Sequence, residues 1–209
     1  MGNKLVPTTR SVLQQIKDQK IQFFDLKFVD LFGTLKHLVI SADKVDSDAF
    51  VKGFSFDGSS IQGFQSINDS DLILRPDPAS VFVDPFFEDP TLSCFCDIIS
   101  PRDFTPYPRD PRGVAKKAEQ LLKAHGIADH AFFGPELEFF IFDDVRFDQA
   151  TQYGYYYLNN AAAFWSTGRE GNNLGNIAPQ KKAYMASPPI DQYNNLRSKI
   201  AQVLKLVGL

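Results

Sequence analysis

The sequence predicts an α+β fold, and three observations carry that reading. A helix, a strand hairpin, a second short helix and further strands crowd the first hundred residues; a stretch with four prolines, Pro101 to Pro111, follows; helices and apolar strand-like runs then resume. Taken in order, Thr8 or Thr9 caps a helix reaching about Gln19, with Val12, Leu13 and Ile16 on one side. Ile21 to Leu31 reads as a strand in which Phe24, Leu26 and Phe28 alternate with Asp25 and Lys27. Phe32-Gly33-Thr34 turns the chain, and Leu35 to Ile40 returns as its partner. Asp46 or Ser47 opens a short helix that ends near Gly53. Leu72-Ile73-Leu74, Val81-Phe82-Val83 and Leu92 to Ile98 are further strands. The proline stretch reads as a linker. Asp110 followed by Pro111 starts a helix with Val114, Ala118, Leu121 and Leu122 as its expected buried stripe, closed by Gly126. Tyr153 to Leu158 is another strand, and Thr167 to Gln180, rich in Gly and Asn, a mobile loop. Asp191 is expected to cap a last helix whose apolar side is Leu196, Ile200, Val203, Leu204 and Val207.

At 209 residues the chain holds one large domain or two small ones. Its 20 Phe promise an aromatic core. A net charge of −3 without a long basic run speaks against nucleic acid. No apolar run approaches the ~18 residues of a membrane span. The first ten residues lack a signal-peptide stretch, so the expected location is cytoplasmic. Cys94 and Cys96 fall on one side of a strand and read as small core residues rather than a zinc site. His37, His125 and His130 form no metal-binding spacing and read as surface or capping residues.

The most informative run is Gly134-Pro135-Glu136-Leu137-Glu138-Phe139-Phe140, within an apolar segment from Phe132 to Phe142. Phe and Ile favour a strand there, which sets Glu136, Glu138, Phe140 and Phe142 on one side and Leu137, Phe139 and Ile141 on the other. Two readings are open. Either this is an edge strand with both carboxylates in water, or the face is covered and the charges are compensated by Arg, Lys or a hard divalent cation. Asp57, in Asp57-Gly58-Ser59-Ser60, by itself reads as a turn residue.

The same residues carry a family resemblance. Gly134-Pro135-Glu136-x-Glu138-Phe139-Phe140, continued by Phe142-Asp143-Asp144-x-Arg146-Phe147, resembles the metal-ligand strand of type I glutamine synthetases. Four further blocks agree in order and spacing: Asp30 to Lys36, Phe56 to Ile61 with Gly63 and Ile67-Asn68, Ser70 to Pro78, and Asp84 to Asp89. The resemblance covers nearly the whole chain and is thinnest between Asp148 and Gln180. It implies a β-grasp domain over residues 1–104, followed over 105–209 by the start of the glutamine synthetase catalytic α/β domain. Gly208-Leu209 resembles the entry to a buried strand, so the expectation is the first part of a longer enzyme, truncated inside that domain.

The implied reaction joins ammonium to glutamate at the expense of ATP through a γ-glutamyl phosphate, with Mg2+ or Mn2+ as cofactor. By the motif match, Glu138 would ligate the metal nearer glutamate and Glu136 the metal nearer the nucleotide phosphates. Asp57 would bind ammonium and accept its proton, and Ser60 would border that pocket. Tyr184 would also line it, although the family's small residues before that Tyr are Lys181-Lys182-Ala183 here. Phe64 replaces a frequent Trp, and Leu137 a Pro of Gly-Pro-Glu-Pro-Glu. The family forms dodecamers in which the Asp57 loop completes a neighbouring subunit's site. This chain alone is expected to be inactive and not to form that ring. The competing readings are a γ-glutamyl-amine ligase of the same fold and a non-catalytic fragment acting only through subunit contacts.

Overall fold

The structure, a computed structural model, describes residues 6–166 and 177–208. The chain divides into two compact units, one up to Phe132 and one from Phe133 to Val207. The predicted loop from Thr167 falls mostly outside the described residues.

In the first unit, helix α1 (Thr9–Asp18) starts at Thr8, whose hydroxyl accepts the Ser11 amide while the Ser11 side chain accepts the Thr8 amide. Strand β1 (Phe23–Val29) pairs antiparallel with β2 (Leu35–Ser41). Their turn is closed by Asp30, whose carboxylate accepts the amides of Phe32 and Thr34, each at 2.9 Å. Helix α2 (Ala49–Lys52) ends at Gly53, whose φ of +72° suits glycine. Strands β3 (Phe54–Asp57), β4 (Asp71–Pro76), β5 (Phe82–Val83) and β6 (Thr91–Ile99) complete a sheet of order β2-β1-β6-β4-β3, with β5 beside β6. Only β1 and β6 run parallel; the other pairs are antiparallel.

One side of this sheet is the core, where Phe24, Leu26, Phe28, Leu72, Leu74, Leu92, Cys94 and Cys96 are buried with Val12 of α1. Both thiols are free and buried, as the sequence suggested. The other side carries a polar cluster that the alternation of β1 foreshadows. Asp25 accepts from Lys27 at 2.7 Å, His37 at 2.8 Å and Ser93 at 2.9 Å, and Ser93 also reaches Asp84 at 2.8 Å. Burial opposes the Lys27 charge, but hydrogen bonding and attraction from Asp25 and Asp84 outweigh it and hold the ammonium above the usual lysine range.

The proline stretch is bonded along its length rather than free. Pro106 bridges Ile99, and the Tyr107 amide donates to Ile98 O at 2.8 Å. Helix α3 (Pro111–Ala124) follows, with the Asp110 carboxylate accepting the amides of Arg112 and Ile98. The expected buried stripe of α3 is a correction: Val114 and Leu121 are 56% and 57% exposed, Ala118 is exposed and Leu122 only half-buried. The helix docks instead by its polar side, because ion pairs hold it. Arg112 and Lys116 both bond Asp97 of β6, at 3.0 and 2.6 Å, and Arg112 also bonds Asp77. Among the described residues nothing covers the apolar side of α3.

Asp97 makes this docking pH-sensitive. Burial works against its charge, yet Lys116 and then Arg112 outweigh burial and hold its carboxyl below the usual range. A depressed carboxylate contributes stability above its unfolded pKa of about 3.9 and loses it as pH falls through the lower folded value. Asp110 acts in the opposite sense, since burial raises it; its contribution fades as pH rises through its folded value. Asp97→Asn is expected to cost about 1.5–3 kcal/mol at pH 7 and to flatten the acid limb of stability. Urea unfolding at pH 7 and between pH 5 and 3 checks this; an unchanged acid limb would contradict it.

In the second unit, β7 (Asp144–Ala150) and β8 (Tyr153–Asn159) form an antiparallel hairpin, and α4 (Asn194–Val207) closes the unit. The sequence pointed to β8 but not to β7. Asp191 lies three residues before α4; its carboxylate accepts the Tyr193 amide at 3.0 Å and binds Arg197. Leu196, Ile200 and Leu204 of α4 are 39%, 36% and 43% exposed. Among the described residues, no helix is long and apolar enough to cross a membrane.

Candidate active site

Asp57 ends β3, where it stands opposite Asp71 of β4. The backbone then tightens over Gly58–Ser60. Gly58 is required there, since a Cβ would lie 2.6 Å from Leu72 Cδ1 and 2.9 Å from Ser70 O. The turn folds two hydroxyls back onto the carboxylate. Asp57 accepts the Ser59 amide at 2.9 Å, the Ser59 hydroxyl at 2.6 Å and the Ser60 hydroxyl at 2.7 Å. The Ser59 hydroxyl first, then that of Ser60, holds the Asp57 carboxyl below the usual carboxylate range. The group is exposed and anionic at neutral pH, which suits it to hold a small cation.

The loop beyond it returns against the proline stretch. Phe64 is 1% exposed and packs edge-on to the Tyr107 ring, with centroids 5.5 Å apart. The Tyr107 hydroxyl donates to Phe64 O at 2.5 Å, and Arg109 donates to Gly63 O and Phe64 O at 2.7 and 2.9 Å. Sequence reasoning missed both residues. The available signal was Pro106-Tyr107-Pro108-Arg109, an aromatic and a cation each set after a proline; the chain turns at 108–109, where the Asp110 amide donates to Tyr107 O at 3.1 Å.

In the second unit, the expected strand from Phe132 to Phe142 is a second correction. Residues 131–142 have no strand assignment, and Glu136 and Glu138 are exposed in company with Phe133, Leu137 and Phe140. A strand exists through its neighbour's hydrogen bonds, and among the described residues no strand pairs with this segment. The side-sharing of Phe140 and Phe142 does hold, since their rings stack at 5.9 Å and 15°. Beyond them the chain is anchored: Asn160 Nδ2 donates to Ile141 O at 2.9 Å, and the Asp143 amide donates to Asn159 O at 2.8 Å.

Among the described residues, no cation of the protein pairs with Glu136 or Glu138, and no group of three His, Cys, Asp or Glu side chains gathers to hold a metal. Two unpaired, exposed carboxylates two positions apart are hard oxygen donors of the kind Mg2+ and Mn2+ take. The donor chemistry therefore fits a divalent ion, with further ligands needed to complete it. Tyr184 is 89% exposed and borders a cleft of about 570 Å³ lined also by Ala162, Ile190, Tyr193 and Arg197. The structure thus brings Asp57 and Ser60 into contact in the first unit, and sets Glu136, Glu138 and Tyr184 in the second.

The chain as a whole has counterparts among known proteins. The family model for the glutamine synthetase β-grasp domain matches residues 20–101, and that for the glutamine synthetase catalytic domain matches residues 108–209. Proteins named glutamine synthetase from Methylococcus capsulatus, Microchaete diplosiphon and Aquifex aeolicus are each 43% identical to it, over 204, 203 and 202 residues. These alignments cover 97% of this chain and 43–44% of the relatives, so the chain spans less than half their length. The fold matches that of glutamine synthetase from Plasmodium falciparum with a TM-score of 0.78 at 22% identity, over 98% of this chain and 41% of that one. The chain belongs to the glutamine synthetase family: a β-grasp domain followed by the start of the catalytic domain.

Proposed function

We propose that this chain is the first part of a glutamate–ammonia ligase, and that in its complete form the enzyme makes glutamine from glutamate, ammonium and ATP in the cytoplasm. The functional division falls between residues 104 and 105, in the interval separating the two family-model matches. The observation that carries the reading is the Asp57 carboxylate, kept anionic by Ser59 and Ser60 at the end of β3 within a family-matched domain.

The γ-phosphoryl group of ATP passes to the side-chain carboxylate of glutamate, giving γ-glutamyl phosphate and ADP. Nitrogen then attacks the activated carbonyl carbon and phosphate leaves. Ammonium has no lone pair, so one of its protons must go to a base before attack. Asp57 attracts the cation and takes that proton. Ser60 holds the carboxylate by its 2.7 Å hydrogen bond and borders the same pocket. Tyr184 supplies an exposed phenol to line the ammonium site. Glu138 and Glu136 would hold Mg2+ or Mn2+, with Glu138 on the glutamate side and Glu136 on the nucleotide side. Bound there, a divalent ion neutralises charge gathered during phosphoryl transfer.

Neighbouring subunits of a dodecamer are the proposed partners, with the Asp57 loop serving an adjacent site. The test of the reaction is the product formed by the complete enzyme from glutamate, ATP and equal ammonium and ethylamine. Glutamine is expected to dominate; γ-glutamyl ethylamide as the main product would assign the enzyme to amine ligation instead.

A further inference from the structure

We infer that Tyr107 and Arg109 are positioning residues for the ammonium step: they clamp the loop that follows Asp57, and that carries the hydroxyls bonded to it, to the strap leading into the next domain. The inference rests on the proposed role of Asp57 and goes beyond it to the parts that hold Asp57 in place. The loop from Gly58 to Gln65 is seated in the core by Phe64, with Ile61 packed beside it, but its backbone has few anchors. The Gly58 amide donates to Ser70 O at 2.7 Å, Ile61 N donates to Gly58 O at 3.2 Å, and Gln65 N reaches the same carbonyl at a long 3.4 Å. Ser59 and Ser60 bond Asp57 itself, so they move with it rather than fix it to the sheet.

The fixed reference is elsewhere. Tyr107 is 7% exposed, and its amide is bonded to Ile98 O of β6, so its ring and hydroxyl are held by the sheet. That hydroxyl and the Arg109 guanidinium converge on one carbonyl, Phe64 O, and Arg109 takes Gly63 O as well. Three donated hydrogen bonds on two adjacent carbonyls define where the loop ends. Gly63 bends there at φ +83°, against Leu31, which a Cβ would approach to 2.8 Å. The loop is thus pinned at Gly58 by β4 and at Gly63–Phe64 by the strap, with Asp57 and its serines at the first pin. Because the strap begins the segment that enters α3, the clamp also ties the ammonium base to the start of the catalytic domain. A base misplaced by about 1 Å loses much of its advantage, so loosening the clamp should tell on proton removal before it tells on folding.

The experiment has two readouts. Tyr107→Phe removes one hydroxyl and keeps the ring on Phe64; Arg109→Ala removes two hydrogen bonds, and Arg109→Lys restores a charge with fewer donors. Hydrogen exchange of this chain is expected to quicken about 2- to 10-fold per lost hydrogen bond at the amides of 58–65, with β1 and β6 unchanged. In the complete enzyme, ammonium-dependent glutamine formation should fall about tenfold or more in Arg109→Ala, with partial rescue by Arg109→Lys. Turnover of hydroxylamine, a nucleophile that is neutral without a base, should be nearly retained. Unchanged exchange in 58–65 would overturn the clamp. Quickened exchange with equal losses for ammonium and hydroxylamine would overturn its positioning role. The Asp57 reading fails separately, if Asp57→Asn itself keeps normal glutamine synthesis at low ammonium.

Discussion

Asp57→Asn in the complete enzyme is expected to lower glutamine formation at low ammonium by about 10²–10⁴-fold, the usual contribution of a general base. The amide keeps the size of the carboxylate, and its one oxygen can still accept from the Ser59 amide and hydroxyl; its NH2 then faces the Ser60 hydroxyl, which can turn to accept, so the turn should survive. What it loses is the charge that attracts ammonium and the lone pair that takes its proton. Raising ammonium or pH should recover part of the rate, because each supplies more free ammonia without the carboxylate. Initial rates across ammonium concentrations at two pH values measure this. A variant with normal rates at low ammonium would show that Asp57 is only the turn residue its sequence context also allows.

Glu138→Gln is expected to reduce turnover by about 10³-fold or more, corresponding to several kcal/mol of lost charge stabilisation. The side chain is exposed and, among the described residues, bonded to no cation of the protein. Its replacement should therefore leave the fold unchanged and act on metal binding. Metal titration should show the affinity of one ion much reduced, while Glu136→Gln should chiefly weaken ATP binding. Full turnover by Glu138→Gln with unchanged metal affinity would remove it from the metal site.

The first unit was legible because its elements are local. Thr8, Asp110, Gly33 and Gly53 mark starts, turns and ends by the chemistry of their own side chains or by the lack of one. Alternation in β1 separated Phe24, Leu26 and Phe28 from Asp25 and Lys27, and the sheet keeps that separation. Pattern could not give the parallel pairing of β1 with β6, which depends on residues far apart in the chain. The errors share a physical origin. Val114 and Leu121 of α3, and the Phe-rich run around Glu136, have an apolar pattern that foretells burial only where another surface covers it. Arg112 and Lys116 decide how α3 docks, because Asp97 gives them an ionic partner that periodicity does not register.

For the proposed site, Glu136, Glu138, Asp57, Ser60 and Tyr184 are proposed on motif resemblance, whereas the contact of Ser60 with Asp57 is seen only in the fold. Tyr107 and Arg109 were hidden in a stretch read as a linker. Their bonds to Gly63 and Phe64 span more than 40 residues, beyond the reach of local pattern.

This segment is proposed to supply the ammonium base and two metal carboxylates of a glutamine-forming enzyme. The most direct measurement is product analysis by mass spectrometry, using glutamate, ATP, ammonium and ethylamine. It is applied to the chain joined to the remaining catalytic domain of its Methylococcus capsulatus relative, and to the 209-residue chain alone. Glutamine, ADP and phosphate are expected in equal amounts from the complete form, abolished by chelating divalent metal, with no product from the chain alone. A folded complete form that makes no glutamine, or makes it without divalent metal, would contradict that proposal.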